Sequence, residues 1–242
     1  MKNSLTRYVN NFLDRSLGLR IQPSAERRLL SVRSEILKNS GISLVYDVGA
    51  NRGQWAKLIR REGYGHKIIS FEPSVAYESL KRQTANDKEW ICENLALSNV
   101  KGEVDLFSAS NQDLSTSILE PQEILNQDLD IDFSKGKKAL ATTLDLYRGE
   151  HEHRKFYLKL DVQGAEALVL EGAKSSLEDC VAIEFESSLL SLYRGESSHY
   201  DLATYLISKN FSPKQIVITH WDKGLHTVSM DSIFIKEDRA LF

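Results

Sequence analysis

From about residue 40 onward the chain alternates between two patterns. Short apolar runs give way to stretches in which apolar residues return every three or four positions. The runs read as buried strands and the stretches as amphipathic helices. "SLVYDVG" is the first strand and "GQWAKLIRREGY" the helix after it, with Trp55, Leu58 and Ile59 turned inward. "HKIISFEP" and "VAYESLKRQTAN" repeat the pair. "WICENLALS" is a third strand. In "GEVDLFSAS", Val104 and Leu106 alternate with polar residues, which suggests an antiparallel or hairpin strand. "FYLKLDVQG" and "CVAIEFES" are two further strands, separated by the helix "AEALVLEGAKSSL". A last helix, "YDLATYLISKN", precedes "KQIVITHW" and "DSIFIKED". A polar turn containing Gly224 joins these two as an antiparallel pair at a sheet edge.

Alternating strands and helices imply right-handed crossovers and a mostly parallel sheet with helices on both faces, an α/β fold. Residues 41–242 read as this domain, and 1–40 as an N-terminal helical extension. Within the extension Leu5, Tyr8, Val9, Phe12, Leu13 and Leu17 make one helical stripe. Such a stripe suits either a membrane-surface or partner-binding helix, or packing on its own domain or on a dimer mate. Residues 110–141 carry no assigned element, and loops that long in compact domains are usually lids or binding segments.

Bulk properties narrow the classes. The chain has 242 residues, 41% hydrophobic and 27% charged, which is ordinary for a soluble domain. Its net charge of −3 gives no electrostatic reason to expect nucleic acid. No apolar run is long enough to span a bilayer, and Asn10, Asn11 and Asp14 interrupt any signal-peptide core. Cys92 and Cys180 show no disulfide or zinc spacing. A reducing, cytoplasmic setting is the expectation.

In an open parallel sheet, ligands bind at the carboxyl ends of the strands. Candidate chemistry therefore gathers at "VYDVGANRGQW", at Glu72, around Asn94, at "LDVQG" and at Glu184 to Ser187. A dinucleotide turn needs a glycine where Asn51 stands, and no Walker-type lysine follows Gly53. A carboxylate at Asp47 repels phosphate and attracts an ammonium group. Glu72, ending the next strand, can accept from two ribose hydroxyls. These features suit S-adenosylmethionine, which has an amino-acid end and a ribose but no phosphate.

"VYDVGANRGQW", "ISFEPS", "ENLALSNVKGEVDLF", "STSIL", "TTLD" and "YLKLDVQGAEALVLEGA" occur in that order. Together they resemble the FkbM family of S-adenosylmethionine-dependent methyltransferases over roughly residues 43–236. The resemblance implies a Rossmann-like class I methyltransferase fold, a seven-stranded sheet with its last strand antiparallel. It also implies methyl transfer to a hydroxyl, usually on a sugar or natural product. Asp47, Gly49, Asn51 and Gly53 match the family's cofactor turn, and Glu72 its ribose acid. Asn94 and Ala96 fall in its third-strand motif near the adenine, and Ser115, Thr116 and Ser117 in its serine-rich segment. Gln163 stands where many members have Glu.

A hydroxyl acceptor must lose a proton, so a base is needed. Asp161 is the leading candidate, with Lys159 two residues earlier on the same strand face to keep it ionised. Glu184 and Glu186 could contact acceptor hydroxyls, and His220 is a further candidate base. Glu166 reads as a solvent-facing residue of the following helix. The acidic cluster permits a divalent ion, but no spacing demands one. The sequence thus points to an O-methyltransferase acting on a sugar, glycan or natural product. A non-catalytic protein that keeps the cofactor fold is the alternative. A nicotinamide oxidoreductase is disfavoured by the missing glycine, and a nucleic-acid methyltransferase by the charge and the lack of a base-flipping motif.

Overall fold

Leu44–Val48 and Phe156–Leu160 are buried at every position, the mark of parallel strands covered on both faces. They lie side by side at the centre of the fold. A computed structural model of the chain describes residues 25–125, 131–149, 153–221 and 227–237. The described chain runs α1 (Ala25–Asn39), β1 (Leu44–Val48), α2 (Gln54–Arg61), β2 (Lys67–Phe71), α3 (Tyr77–Thr84), β3 (Trp90–Glu93), β4 (Ala96–Leu97) and β5 (Gly102–Ala109). It continues through β6 (Phe133–Thr142), α4 (Leu144–Arg148), β7 (Phe156–Leu160), α5 (Glu166–Glu171), β8 (Cys180–Ser188), α6 (His199–Ser208), β9 (Phe211–Trp221) and β10 (Thr227–Lys236).

Seven strands form the main sheet in the order β3-β2-β1-β7-β8-β10-β9. All pairings from β3 to β8 are parallel, and β10 runs antiparallel to both β8 and β9. The expected α/β sheet with an antiparallel last strand is therefore observed. β10 slots between β8 and β9, so the edge strand is β9. One face packs Tyr46, Leu158, Ile183 and Phe185 against α5 and α6. The other packs Val45, Tyr157 and Ala182 against α1 and α2, with Leu29 and Ile36 supplied by α1. The apolar stripe at 5–17 lies outside the described residues. Among the described residues no helix is long and apolar enough to cross a membrane.

Two expectations change. "WICENLALS" is two strands, because β3 ends at Glu93 and β4 joins a separate three-stranded sheet, β4-β6-β5. β6 occupies the end of the segment that carried no element, and β5 pairs with it antiparallel.

Register aligns one polar row across the main sheet. Ser70 and Lys159 both flank Asp47, and Glu184 flanks Lys159. Strand side chains alternate faces, so the four point toward the layer of α1 and α2. This row backs the carboxyl ends of the strands.

Candidate active site

The turn after β1 is shaped by close approach. Gly49 has φ +75°, and a Cβ there would lie 1.8 Å from the backbone oxygen of Asp161. The N–H groups of Gly49 and Ala50 both donate to the Phe71 carbonyl at 3.0 Å, pinning the turn to β2. Asn51 follows in the left-handed region (φ 47°), which asparagine tolerates better than most residues. Its backbone N–H donates to Glu72 Oε2 at 2.7 Å. At Gly53 a side chain would meet the Trp90 ring at 2.8 Å, so this glycine serves packing.

Glu72 is 5% exposed and faces the cleft. Its Oε1 accepts from the Ser74 N–H at 2.8 Å, so each carboxylate oxygen takes one backbone donor. Burial pushes this carboxyl above its ordinary range, and the hydrogen bonds from Ser74 and Asn51 oppose that. A carboxylate has about four acceptor sites, so capacity for hydroxyl donors remains. Asn94 stands behind it, donating from Nδ2 to the Glu72 carbonyl at 2.9 Å rather than lining the cleft. Ala96 does line it, beside Leu95 and Leu97.

The cleft holds ≈ 830 Å³ of empty space counted to its open mouth, within the span of small-molecule sites. Thr116 and Ser117 line it from the segment after β5. Ser117 Oγ donates to the Gln163 carbonyl at 2.8 Å and accepts from the Leu119 N–H, tying this segment to the turn after β7. Ser115 is turned away and binds Asn111, so of the three expected hydroxyls two reach the cleft.

Behind the cleft, Asp47 is fully buried and does not line it. Its Oδ2 accepts from Ser70 Oγ at 2.9 Å, and its Oδ1 lies 3.7 Å from Lys159 Nζ. Burial raises its pKa and Lys159 opposes the rise. Lys159 is buried yet reaches the cleft, with Nζ 3.0 Å from Asp161 Oδ2. Burial pulls the ammonium pKa down, but Asp161 and Asp47 outweigh it and the net shift is upward. For Asp161, burial pushes upward and is overcome by Lys159 and by the Gln163 amide, which donates to Oδ1 at 2.8 Å. Its pKa is lowered. An ionised carboxylate, 37% exposed at its side chain, thus faces the cleft.

Glu184 belongs to a different network. Its oxygens accept two bonds from Arg33, one at 2.7 Å, with Tyr157 Oη at 2.6 Å and Trp55 Nε1 at 3.2 Å. It is buried and does not line the cleft. Arg33 comes from α1, in the segment read as an extension; following Leu29 by four residues and preceding Ile36 by three, it falls on that helix's buried face. Glu166 is also buried, not solvent-facing, and accepts from the Val162 N–H at 3.0 Å. Burial pushes it up to about 8. His220 lies on β9 opposite Ser229, and its side chain is outside the described residues. Among the described residues no group of His, Cys, Asp and Glu could hold a metal, so the divalent ion finds no support.

A family model described as Methyltransferase FkbM domain matches residues 47–213, from the end of β1 into β9. Among solved structures, the methyltransferase FkbM of Methylobacillus flagellatus KT is similar with a TM-score of 0.50 at 14% identity. That match covers 82% of this chain and 47% of that one, so this chain spans under half of that protein's length. TrmK of M. capricolum, solved with its cofactor product S-adenosylhomocysteine, gives a TM-score of 0.50 at 9% identity, over 87% of this chain and 68% of that one. At such identities the likeness is one of fold. No curated protein matches the sequence.

Proposed function

Because this chain belongs to the FkbM methyltransferase family, we propose that it transfers a methyl group from S-adenosylmethionine to a hydroxyl of a sugar, glycan or natural product. One observation carries the cofactor reading. Glu72 presents a buried carboxylate to the cleft, oriented by two backbone N–H groups, where a ribose diol would find paired acceptors. Leu95, Leu97 and Leu106 add an apolar wall suited to a base. Gly49 lines the cleft, and the Asp161 backbone leaves no room for a side chain on it.

The turn also speaks against a dinucleotide. A pyrophosphate needs free N–H donors in the glycine turn. Here Gly49 and Ala50 give theirs to the Phe71 carbonyl, and Asn51 gives its own to Glu72. Lys159 and Gln163 keep an ionised carboxylate in the cleft at Asp161, where a proton acceptor is needed, which favours turnover over binding alone.

S-adenosylmethionine, when bound, supplies a methyl group already activated by the positive charge on sulfur. The chain's own residues then have two tasks. The first is alignment of the acceptor, an effect that reaches about 7–11 kcal/mol in well-oriented model reactions. The second is removal of the hydroxyl proton. Asp161, which lines the cleft, accepts it on an oxygen lone pair that the bonds from Lys159 and Gln163 leave open. Glu184 takes no part, because it is buried behind the cleft with Arg33, Tyr157 and Trp55 and does not line it.

Calorimetric titration with S-adenosylhomocysteine, with NAD in parallel, tests this reading. Saturable binding of the first alone, weakened in Glu72→Ala, is expected. A folded protein that binds neither would make the turn structural and leave the non-catalytic alternative in front.

A further inference from the structure

A second cavity opens beside the cleft, with Gln163 in the wall of both. Its empty space, counted to the mouth, is ≈ 820 Å³, nearly that of the cleft. Glu186 and Ser187 line it from the carboxyl end of β8, and Ser229 from β10. Glu166 lines it from α5, with Tyr193 and Glu196 from the loop between β8 and α6.

Two observations join this cavity to the chemistry. The Gln163 amide donates to Asp161 in the cleft at 2.8 Å and to Glu186 in the second cavity at 3.3 Å. Ser115 lines the second cavity while its neighbours Thr116 and Ser117 line the cleft. The proton-accepting carboxylate and the second cavity thus meet at one side chain. An acceptor seated here would be separated from Asp161 by the Gln163 side chain.

The lining also has a charge character. Among the described residues it contains three glutamates and several hydroxyls, but no lysine or arginine. Burial, then the charges of Asp161 and Asp231, push Glu186 up to about 8. The cavity therefore already resists the ionisation of its own carboxyls, and an incoming anion would meet that potential without a counter-charge. A neutral hydroxyl or an ammonium group would instead find acceptors.

Resting on the methyltransferase reading above, we propose that this second cavity holds the methyl acceptor. It admits an uncharged or amino-bearing polyol and rejects one that carries phosphate, sulfate or carboxylate.

The test is single-turnover transfer of labelled methyl groups by the full chain to matched probes: methyl glucoside, methyl glucosaminide and methyl glucuronide. S-adenosylhomocysteine binding is measured on every sample. The expected result is transfer to the neutral or amino probe at least about ten-fold above the glucuronide, as an unpaired like charge costs more than one decade. Glu186→Lys should narrow or reverse that ratio by at least about ten-fold, whereas Glu186→Gln, which replaces a carboxyl already held mostly protonated near neutral pH, should leave it within a few-fold. Equal or better transfer to the glucuronide overturns the proposal. So does a preference that Glu186→Lys does not move, because the acceptor then sits elsewhere. Absence of transfer to all three, with S-adenosylhomocysteine bound, overturns the polyol assignment. Failure to bind S-adenosylhomocysteine at all would instead defeat the methyltransferase reading.

Discussion

Lys159 and Asp161, two residues apart on the end of β7, hold their charges 3.0 Å from one another at the cleft. Alternation along a strand puts such residues on one face. The consequence is electrostatic: burial alone would raise the Asp161 carboxyl, and Lys159 leads the opposing effects that bring it down.

Removing Lys159 should therefore change the pH profile, alongside a stability cost from leaving Asp47 buried without its ammonium. With a lowered pKa, Asp161 is ionised throughout the neutral range, so kcat/KM of the native protein should be flat from about pH 5.5 to about 7.5 as far as this group is concerned. In Lys159→Met burial dominates, the carboxyl pKa rises, and activity should fall as pH drops. Asp161→Asn should lower kcat by about 10²–10⁴ while leaving S-adenosylhomocysteine affinity within a few-fold. An unaltered profile in Lys159→Met would remove Asp161 from the role of base.

The buried pair on the other side of the row predicts a stability effect without a catalytic one. Arg33 and Glu184 are both nearly inaccessible and share a bidentate contact. Arg33→Met leaves the Glu184 carboxylate buried with only Tyr157 and Trp55, and should cost about 3–5 kcal/mol by denaturant unfolding. The double variant Arg33→Met with Glu184→Leu should recover part of that, because the stranded charge is gone. A double variant no more stable than Arg33→Met would refute this account.

How much of this was legible in the sequence depends on what each residue contacts. β1 and β7 were plain because strands buried on both faces are unbroken apolar runs. β6 was not. Lys135, Gly136, Lys137 and Lys138 dilute its pattern, and Leu140, at 60% exposure, faces outward. The Glu72 and Lys159–Asp161 features are local to strand ends, and strand order predicts where those ends lie. The fate of Glu184 was invisible, since its partner Arg33 is 151 residues away, on a helix whose stripe of Leu29, Ile36 and Leu37 shows a buried face but not the strand it meets. The burial of Asp47 likewise follows from its neighbours Ser70 and Lys159 across the sheet, not from its place in the glycine turn.

Glu166 offers a linkage measurement. Its folded pKa near 8 lies above the ordinary value of 4.5 because burial disfavours the anion. The folded state therefore binds the proton more tightly between those values, and its stability falls as pH rises from about 4.5 through about 8. Glu166→Gln keeps an oxygen for the Val162 N–H but cannot ionise. Between about pH 5 and about pH 8.5 the variant should gain on the native protein by up to several kcal/mol, since each tenfold difference in proton affinity is worth about 1.4 kcal/mol. Parallel thermal melts at the two pH values would read this directly, and a constant difference would contradict it.

Gly49 is where fold and site meet most closely, and its substitution separates two costs. A Cβ at Gly49 would collide with the Asp161 carbonyl at 1.8 Å, and the residue also sits at positive φ. Gly63 shares the positive φ, 94°, but a Cβ there has nothing within 4 Å. Gly63→Ala thus measures the backbone penalty alone, about 1–2 kcal/mol. Gly49→Ala must add the displacement of either the β1 turn or the end of β7, which carries Asp161. It should destabilise by clearly more than Gly63→Ala and weaken S-adenosylhomocysteine binding, while Gly63→Ala leaves binding unchanged. Because Asn51 and Glu72 are held by the same turn, the two losses should appear together. Equal stability costs for the two variants would mean that the approach of Gly49 to Asp161 is not what requires a glycine there.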